Sequence, residues 1–335
     1  MAITINGTSG LSLAGQFDSA SSFGFKNRII NGQMQIAQRA TSATITAGST
    51  IATGYSTVDR FYVYCTGANV TAAQVAGSGA TKNRLQITGA ASVTAVGIGQ
   101  RIEQLNSYDM AGSTATLSVD ISNSLLTSVT WTAYYANTAD TFGTLASPTR
   151  TQIATGTFTV TSTLTRYSTQ ISIPAAATTG IEIVLTVGAQ TSGTWVIGNL
   201  MLEESSIATS FDYRPYGTEF ALCQRYCFTL ISNGSNASLF TGAWRPATSS
   251  LQVTIPFPVT MRASPNGSIP AGNNSWGTQD GLNPYTGTPT FSGASPYSIT
   301  LNIPTSTPTF ASGYGLSALM YANAGAVCLL ATAEL

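Results

Sequence analysis

Apolar and polar residues alternate one by one along short runs of this chain, and Gly, Pro, Asn and Asp punctuate the runs. Leu117, Val119 and Ile121 fall on one side of such a run, with Thr116, Ser118 and Asp120 on the other. Val129, Trp131, Ala133 and Tyr135 repeat the pattern, as do Ile171 with Ile173, and Ile181, Ile183, Leu185 and Val187. A period of two sends successive side chains to opposite faces of a strand, so each run reads as a half-buried antiparallel strand. Two segments break the period. In GIGQRIEQLNSYDMAG, Ile98, Ile102 and Leu105 fall at helical spacing and Gly112 follows, which predicts a short helix at about 99–106. GTEFALCQRYCF predicts a second at about 218–227, with Phe220, Cys223 and Cys227 as its buried face and Glu219 in its first turn.

The same alternation returns late in the chain, at Leu251, Val253, Ile255 and Phe257 and at Ile299, Leu301 and Ile303. Prolines there mark turns and strand ends, because Pro cannot donate to a central ladder. The expected fold class is all-β: a jelly-roll β-sandwich followed by a second, C-terminal sandwich-like domain. Three parts are expected, spanning 1–27, 28–214 and 215–335. In the first, Ile3 and Ile5, then Leu11 and Leu13, alternate with polar neighbours around an Asn6-Gly7 turn. A segment this short cannot bury a core of its own. It is expected to order against a partner or against copies of itself.

Chemistry is restricted by what the chain lacks. Its 335 residues include no His, and only 8% are Asp, Glu, Lys or Arg. Histidine is the side chain that titrates near neutrality and the commonest metal ligand, so general acid–base work is poorly served. Thirteen basic and thirteen acidic residues give zero net charge. That argues against nucleic acid, whose binding draws on Lys and Arg neutralising phosphates. Between Ala263 and Ala333 the only charged residue is Asp280, so burial of this region between protomers is expected. Cys65, Cys223, Cys227 and Cys328 form no Cys-x-x-Cys pair, and Cys223 with Cys227 reads as a pair of buried thiols. No cofactor is expected, and a metal is left unassigned. No apolar run reaches the ~20 residues of a bilayer span, so membrane insertion is not expected. Glu203 and Glu204 are adjacent carboxylates, which a strand would point to opposite faces, away from any one glycosidic bond. Asp59 with Arg60 reads as an ion pair at a strand start, and Trp131 and Trp195 read as core.

Several segments together resemble a known family. NRIINGQMQIAQRAT (27–41) followed by TVDRFYV (57–63) resembles the opening of jelly-roll modules in bacteriophage tail fibre proteins. IGQRIEQLNSYDMAGSTATLSVDI (98–121) and IGNLMLEESSIATSFDYRPYGTEFALCQRYC (197–227) are similar to later steps of the same carbohydrate-binding-like sandwiches. IPFPVTMRASPNGSI (255–269) is similar to a strand in C-terminal domains of such fibres, and MAITINGTSGLS resembles their attachment ends. The resemblance implies a structural protein of the virion tail, assembled in the host cytoplasm. It implies a homotrimer held to tail or baseplate proteins by its N-terminus, with Ile3, Ile5, Leu11 and Leu13 as the candidate docking set. The distal end would bind a host surface polysaccharide and cleave nothing. A glycan-cleaving spike carries a long β-helix, and no repeat for one is visible. A capsid decoration or head fibre protein and a glycan-degrading tailspike enzyme are the alternatives. Sugar C–H faces pack on Trp and Tyr while their hydroxyls bond to Asn, Gln and Asp. The candidate glycan contacts are therefore Trp276, Trp244, Tyr285, Asn274 and Asp280, with Trp276 in the polar, loop-like segment AGNNSWGTQDG.

Overall fold

The computed structural model describes residues 4–6, 10–12, 25–79, 81–231, 237–241, 244–247, 250–270, 275–279, 284–287, 289–304, 317–321 and 327–335. They fall into two units, Met1–Glu219 with Leu335, and Phe220–Glu334. The fold is all-β, and its two α-helices among the described residues are short.

Unit 1 begins with a small hairpin, β1 (Thr4–Asn6) and β2 (Gly10–Ser12), in which Ile5 lies opposite Leu11. The sandwich follows. Its strands are β3 (Ser42–Ile45), β4 (Tyr62–Thr66), β5 (Val70–Ala76), β6 (Asn83–Thr88), β7 (Ala95–Ile102), β8 (Thr114–Asn123) and β9 (Ser128–Ala136). They continue with β10 (Arg150–Thr159), β11 (Thr165–Ser172), β12 (Ile181–Val187) and β13 (Thr194–Glu204), and a helical turn, α1 (Ile51–Gly54), precedes β4. One sheet has five strands in the order β10-β9-β12-β7-β4; the other has six, β11-β8-β13-β6-β5-β3. The alternation explains why they stack. Leu117, Val119, Ile121, Ile87 and Ile197 from the six-stranded sheet share one core with Val63, Ile98, Trp131, Ile183 and Leu185 from the five-stranded sheet. Each fully buried aliphatic side chain contributes about 1.5–3 kcal/mol relative to exposure. Trp195 is fully buried and Trp131 is 6% exposed, so both are core residues as expected.

The motif at 27–41 closes this sandwich. Asn27 reaches the Leu200 carbonyl through Nδ2, and its Oδ1 accepts from the Ile29 and Leu202 amides. Asn31 sits at φ 60°, a left-handed conformation that Asn tolerates better than most residues. Its Nδ2 donates to the Ile36 and Asp59 carbonyls, and its Oδ1 accepts from the Gln35 and Ile36 amides. Buried Gln100 exchanges two hydrogen bonds of 2.8 Å with the Ile30 backbone. Polar groups this deep stay only because they are paired.

The expected helix at 99–106 is not formed. Ala95–Ile102 is a strand, followed by 3-10 turns at Gln104–Asn106 and Tyr108–Met110. A spacing of four satisfies a period of two as well as 3.6, so Ile98 and Ile102 face the core from a strand. Gly97 and Gly99 add to this, since each weakens a helix by about 1 kcal/mol. Leu105, the third residue of the supposed stripe, is 70% exposed. The second helix forms as α2 (Tyr216–Gln224) and stops before Cys227, which opens the strand Cys227–Ile231. Cys223 and Cys227 are both buried, but they belong to two elements.

In unit 2, Ser250–Pro256 pairs with Ser298–Pro304, with Val253 opposite Leu301 and Ile255 opposite Ile299. Cys227–Ile231 pairs with Val327–Thr332. Val253, Ile255, Ile299, Leu301, Ile303 and Leu329 form its core, as the late alternation predicts. The segment around Trp276, read as loop-like, is instead the strand Ser275–Gln279. Trp and Thr suit a pleated surface better than the surrounding polarity suggests.

Candidate functional site: the outer face of the five-stranded sheet

The residues that alternate with the core set line up into rows on the far side of the five-stranded sheet. Register places Tyr64, Gly97, Thr186, Thr130 and Thr157 side by side across β4, β7, β12, β9 and β10. The next row is Tyr62, Gly99, Val184, Thr132 and Thr155, and the one after is Arg101, Glu182, Tyr134 and Gln152. Five strands about 4.8 Å apart make each full row roughly 19 Å long.

Two glycines set the geometry of the tyrosines. A Cβ on Gly97 would meet the Tyr64 ring, and one on Gly99 would meet the Tyr62 ring and hydroxyl. Both rings therefore lie down on β7. They stack on each other with centroids 6.4 Å apart. Tyr62 is buried beneath Ile51 and Tyr55, whereas Tyr64 stays half-buried. Beside them Thr155 and Thr157 are exposed, Thr130 and Thr186 half-buried, and Thr132 buried. Thr132 and Thr155 share a hydrogen bond of 3.0 Å, and Thr155 Oγ1 also donates to the Trp131 carbonyl. An open groove of about 610 Å3 lies at this end of the face, lined by Ala95, Leu126, Ser128, Thr130, Thr186 and Gly188.

The opposite end is charged. Glu182 has no solvent exposure, and its Oε1 accepts from the Tyr62 hydroxyl at 2.7 Å and from Arg101 Nε at 2.9 Å. Its Oε2 accepts from Arg150 Nη1. The Arg150 guanidinium lies over the Tyr134 ring, 4.0 Å from its centroid. Burial, and after it the Glu182 charge, pushes the Tyr62 hydroxyl well above its ordinary pKa. Burial also raises Tyr64. Burial works against the charge on Arg150, yet Glu182 and its tyrosine neighbours more than offset this and raise its pKa. Both phenols are thus neutral hydrogen-bonding groups, and Glu182 is clamped by three donors.

The sequence candidates fall elsewhere. Trp276 lies opposite Gly287 and Met320, and Tyr285 lies opposite Thr278 in the same hairpin. Trp244 belongs to a different sheet, opposite Gln252. Asn274 and Asp280 lie outside the described residues, as do Ile3 and Leu13. Glu203 is buried and bonded to Thr209, while Glu204 is exposed, the opposite-face arrangement a strand imposes. Asp59 pairs with Arg39 at 3.6 Å and accepts from Gln38, and Arg60 donates to the Arg101 carbonyl. Among the described residues no cluster of three or more His, Cys, Asp or Glu could hold a metal, and no helix is long and apolar enough to cross a membrane.

No family model matches this chain, and no curated protein matches it. Solved structures similar to part of it include a CBM4 module at 14% identity, with 52% of this chain and 98% of that one covered and a TM-score of 0.34. Another is the enzymatically active domain of Bacteriophage CBA120 tailspike protein 4, at 15% identity, with 56% and 24% covered and a TM-score of 0.33. A third is TmCBM61 in complex with beta-1,4-galactotriose, at 11% identity, with 53% and 99% covered and a TM-score of 0.32. Scores of this size assign no function to this chain.

Proposed function

We propose that this protein is a non-catalytic glycan-binding protein and that the outer face of the five-stranded sheet holds the sugar. The observation that carries the reading is the row pattern: a half-buried tyrosine ring laid flat beside threonine hydroxyls on a rigid sheet. Aromatic bodies with polar edges suit ligands that alternate C–H faces and hydroxyls. Sites on strands hold such groups more firmly than sites on loops. In these three rows Glu182 is the one carboxylate, and glycoside cleavage calls for two. Binding without cleavage is the chemistry that fits.

The wider setting extends the same reading. The segments that resemble those of bacteriophage tail fibres support a homotrimer attached to the virion tail through its N-terminal hairpin, adsorbing to a host polysaccharide. Weak sites on several copies would combine through effective concentration. The candidates Trp276, Trp244, Tyr285, Asn274 and Asp280 would form a second contact region in unit 2.

Titration calorimetry against oligosaccharides identified on a glycan array tests the face directly. Thr157→Val and Tyr64→Ala should each weaken binding about 2–10-fold, the scale of one or two net hydrogen bonds. Trp276→Ala in the same assay measures the other region. Glycan binding that ignores both changes on the sheet would move the site elsewhere, and release of new reducing ends would overturn the non-catalytic reading.

A further inference from the structure

We propose that the sheet face prefers an acidic glycan, with a sugar carboxylate seated against Arg150. This rests on the glycan-binding reading above and narrows it to a ligand class.

The charged end of the face is not balanced within its own side chains: Arg101 and Arg150 face one carboxylate, Glu182. The two arginines are used differently. Arg101 is engaged through all three nitrogens, with Nε on Glu182, Nη1 on the Leu335 carbonyl at 2.8 Å and Nη2 on the Gly143 carbonyl at 2.7 Å. Arg150 has Glu182 as its one hydrogen-bond acceptor among the described residues, on Nη1. Its Nε is enclosed, so the donor left for a ligand at the face is Nη2. A guanidinium offers its donors as a planar fork, which matches the two oxygens of a carboxylate and not a lone hydroxyl.

Position points the same way. Arg150 is held flat over Tyr134, and its side chain is 12% exposed, so it is fixed yet reachable from the face. Tyr134 shares its row with Glu182 and Gln152, directly beside the row of Thr132 and Thr155. A sugar lying on the threonines would bring a ring substituent to the guanidinium. The other ionisable groups here are Tyr62, Tyr64 and Tyr134, and the first two have raised pKa values that keep them uncharged at neutrality. Nothing in these rows besides Glu182 opposes an anion, and Glu182 is already spent on three donors.

The test uses the full chain and three probes: polygalacturonate, alginate and polysialic acid, each beside its carboxyl-reduced form, in affinity electrophoresis. At least one acid form should be retained ten-fold or more over its reduced counterpart, with the ratio falling as salt rises. The probe that does so separates uronic from sialic acids. Arg150→Gln should collapse that ratio to about one. If that variant fails to fold, Gln152→Glu places a like charge at an exposed position of the same row and should collapse the ratio too. Equal retention of acid and reduced forms would overturn the acidic preference and leave the glycan reading standing. No retention of any form would remove both.

Discussion

Glu182 is the residue on which the charged end of the face depends. It is fully enclosed, is the one side-chain counter-charge shared by two guanidinium groups, and accepts from a phenol. Replacing it by Gln would leave Arg101 and Arg150 buried together without a counter-charge. Breaking a buried pair from one side costs about 3–5 kcal/mol, so Glu182→Gln should lower the midpoint in urea sharply. Tyr62 gives a pH signature. Its folded-state pKa is raised above the ordinary 10.0, so the stability it contributes is complete below about pH 10 and is lost as pH climbs past it. Denaturant midpoints measured from pH 8 upward should fall above pH 10, and the fall should be shallower in Tyr62→Phe. Parallel curves would show that Tyr62 is not the group responsible.

At the scale of the strand, β7 shows how an element can be misread and why. Its isoleucines at 98 and 102 fit two periods, and the sequence holds nothing local that rejects the helical one except its glycines. Those glycines acquire a reason only from β4, whose tyrosines occupy the space their missing Cβ atoms leave. Gly99→Ala should therefore cost about 1–3 kcal/mol by overpacking and perturb the near-ultraviolet circular dichroism of the tyrosines, although alanine is the better strand or helix former. A wild-type spectrum and midpoint would mean the rings can yield. By contrast the core face of β8 was legible, although Thr116 and Ser118 on its other face, read as the polar side, are buried as well. Leu117, Val119 and Ile121 alternate without ambiguity, and Leu117→Ala should cost about 2–5 kcal/mol in the same unfolding assay.

For the whole molecule, the described contacts of unit 1 from 25 onward begin with Phe25 beneath Arg214, Lys26 beside Glu203 and Asn27 against β13. A chain that starts at Phe25 should thus keep the melting transition of unit 1, while a proposed attachment role for the hairpin predicts loss of incorporation into particles. Failure of the shortened chain to fold would show that the hairpin belongs to the sandwich. The sequence by itself determined that this protein is built from half-buried antiparallel strands, because an alternation of period two is a local property and survives any arrangement of the sheets. It also determined which side chains point into the core, as at Trp131 and Trp195. Only the tertiary structure decided which of the opposite faces become neighbours and how far they are covered, since Ser118 and Glu182 are buried there too. Arg101, Arg150, Glu182 and Tyr62 are far apart along the chain and meet because strand order and register bring β4, β7, β10 and β12 into one sheet. The order β10-β9-β12-β7-β4 pairs strands distant in the chain, and no window of sequence contains it.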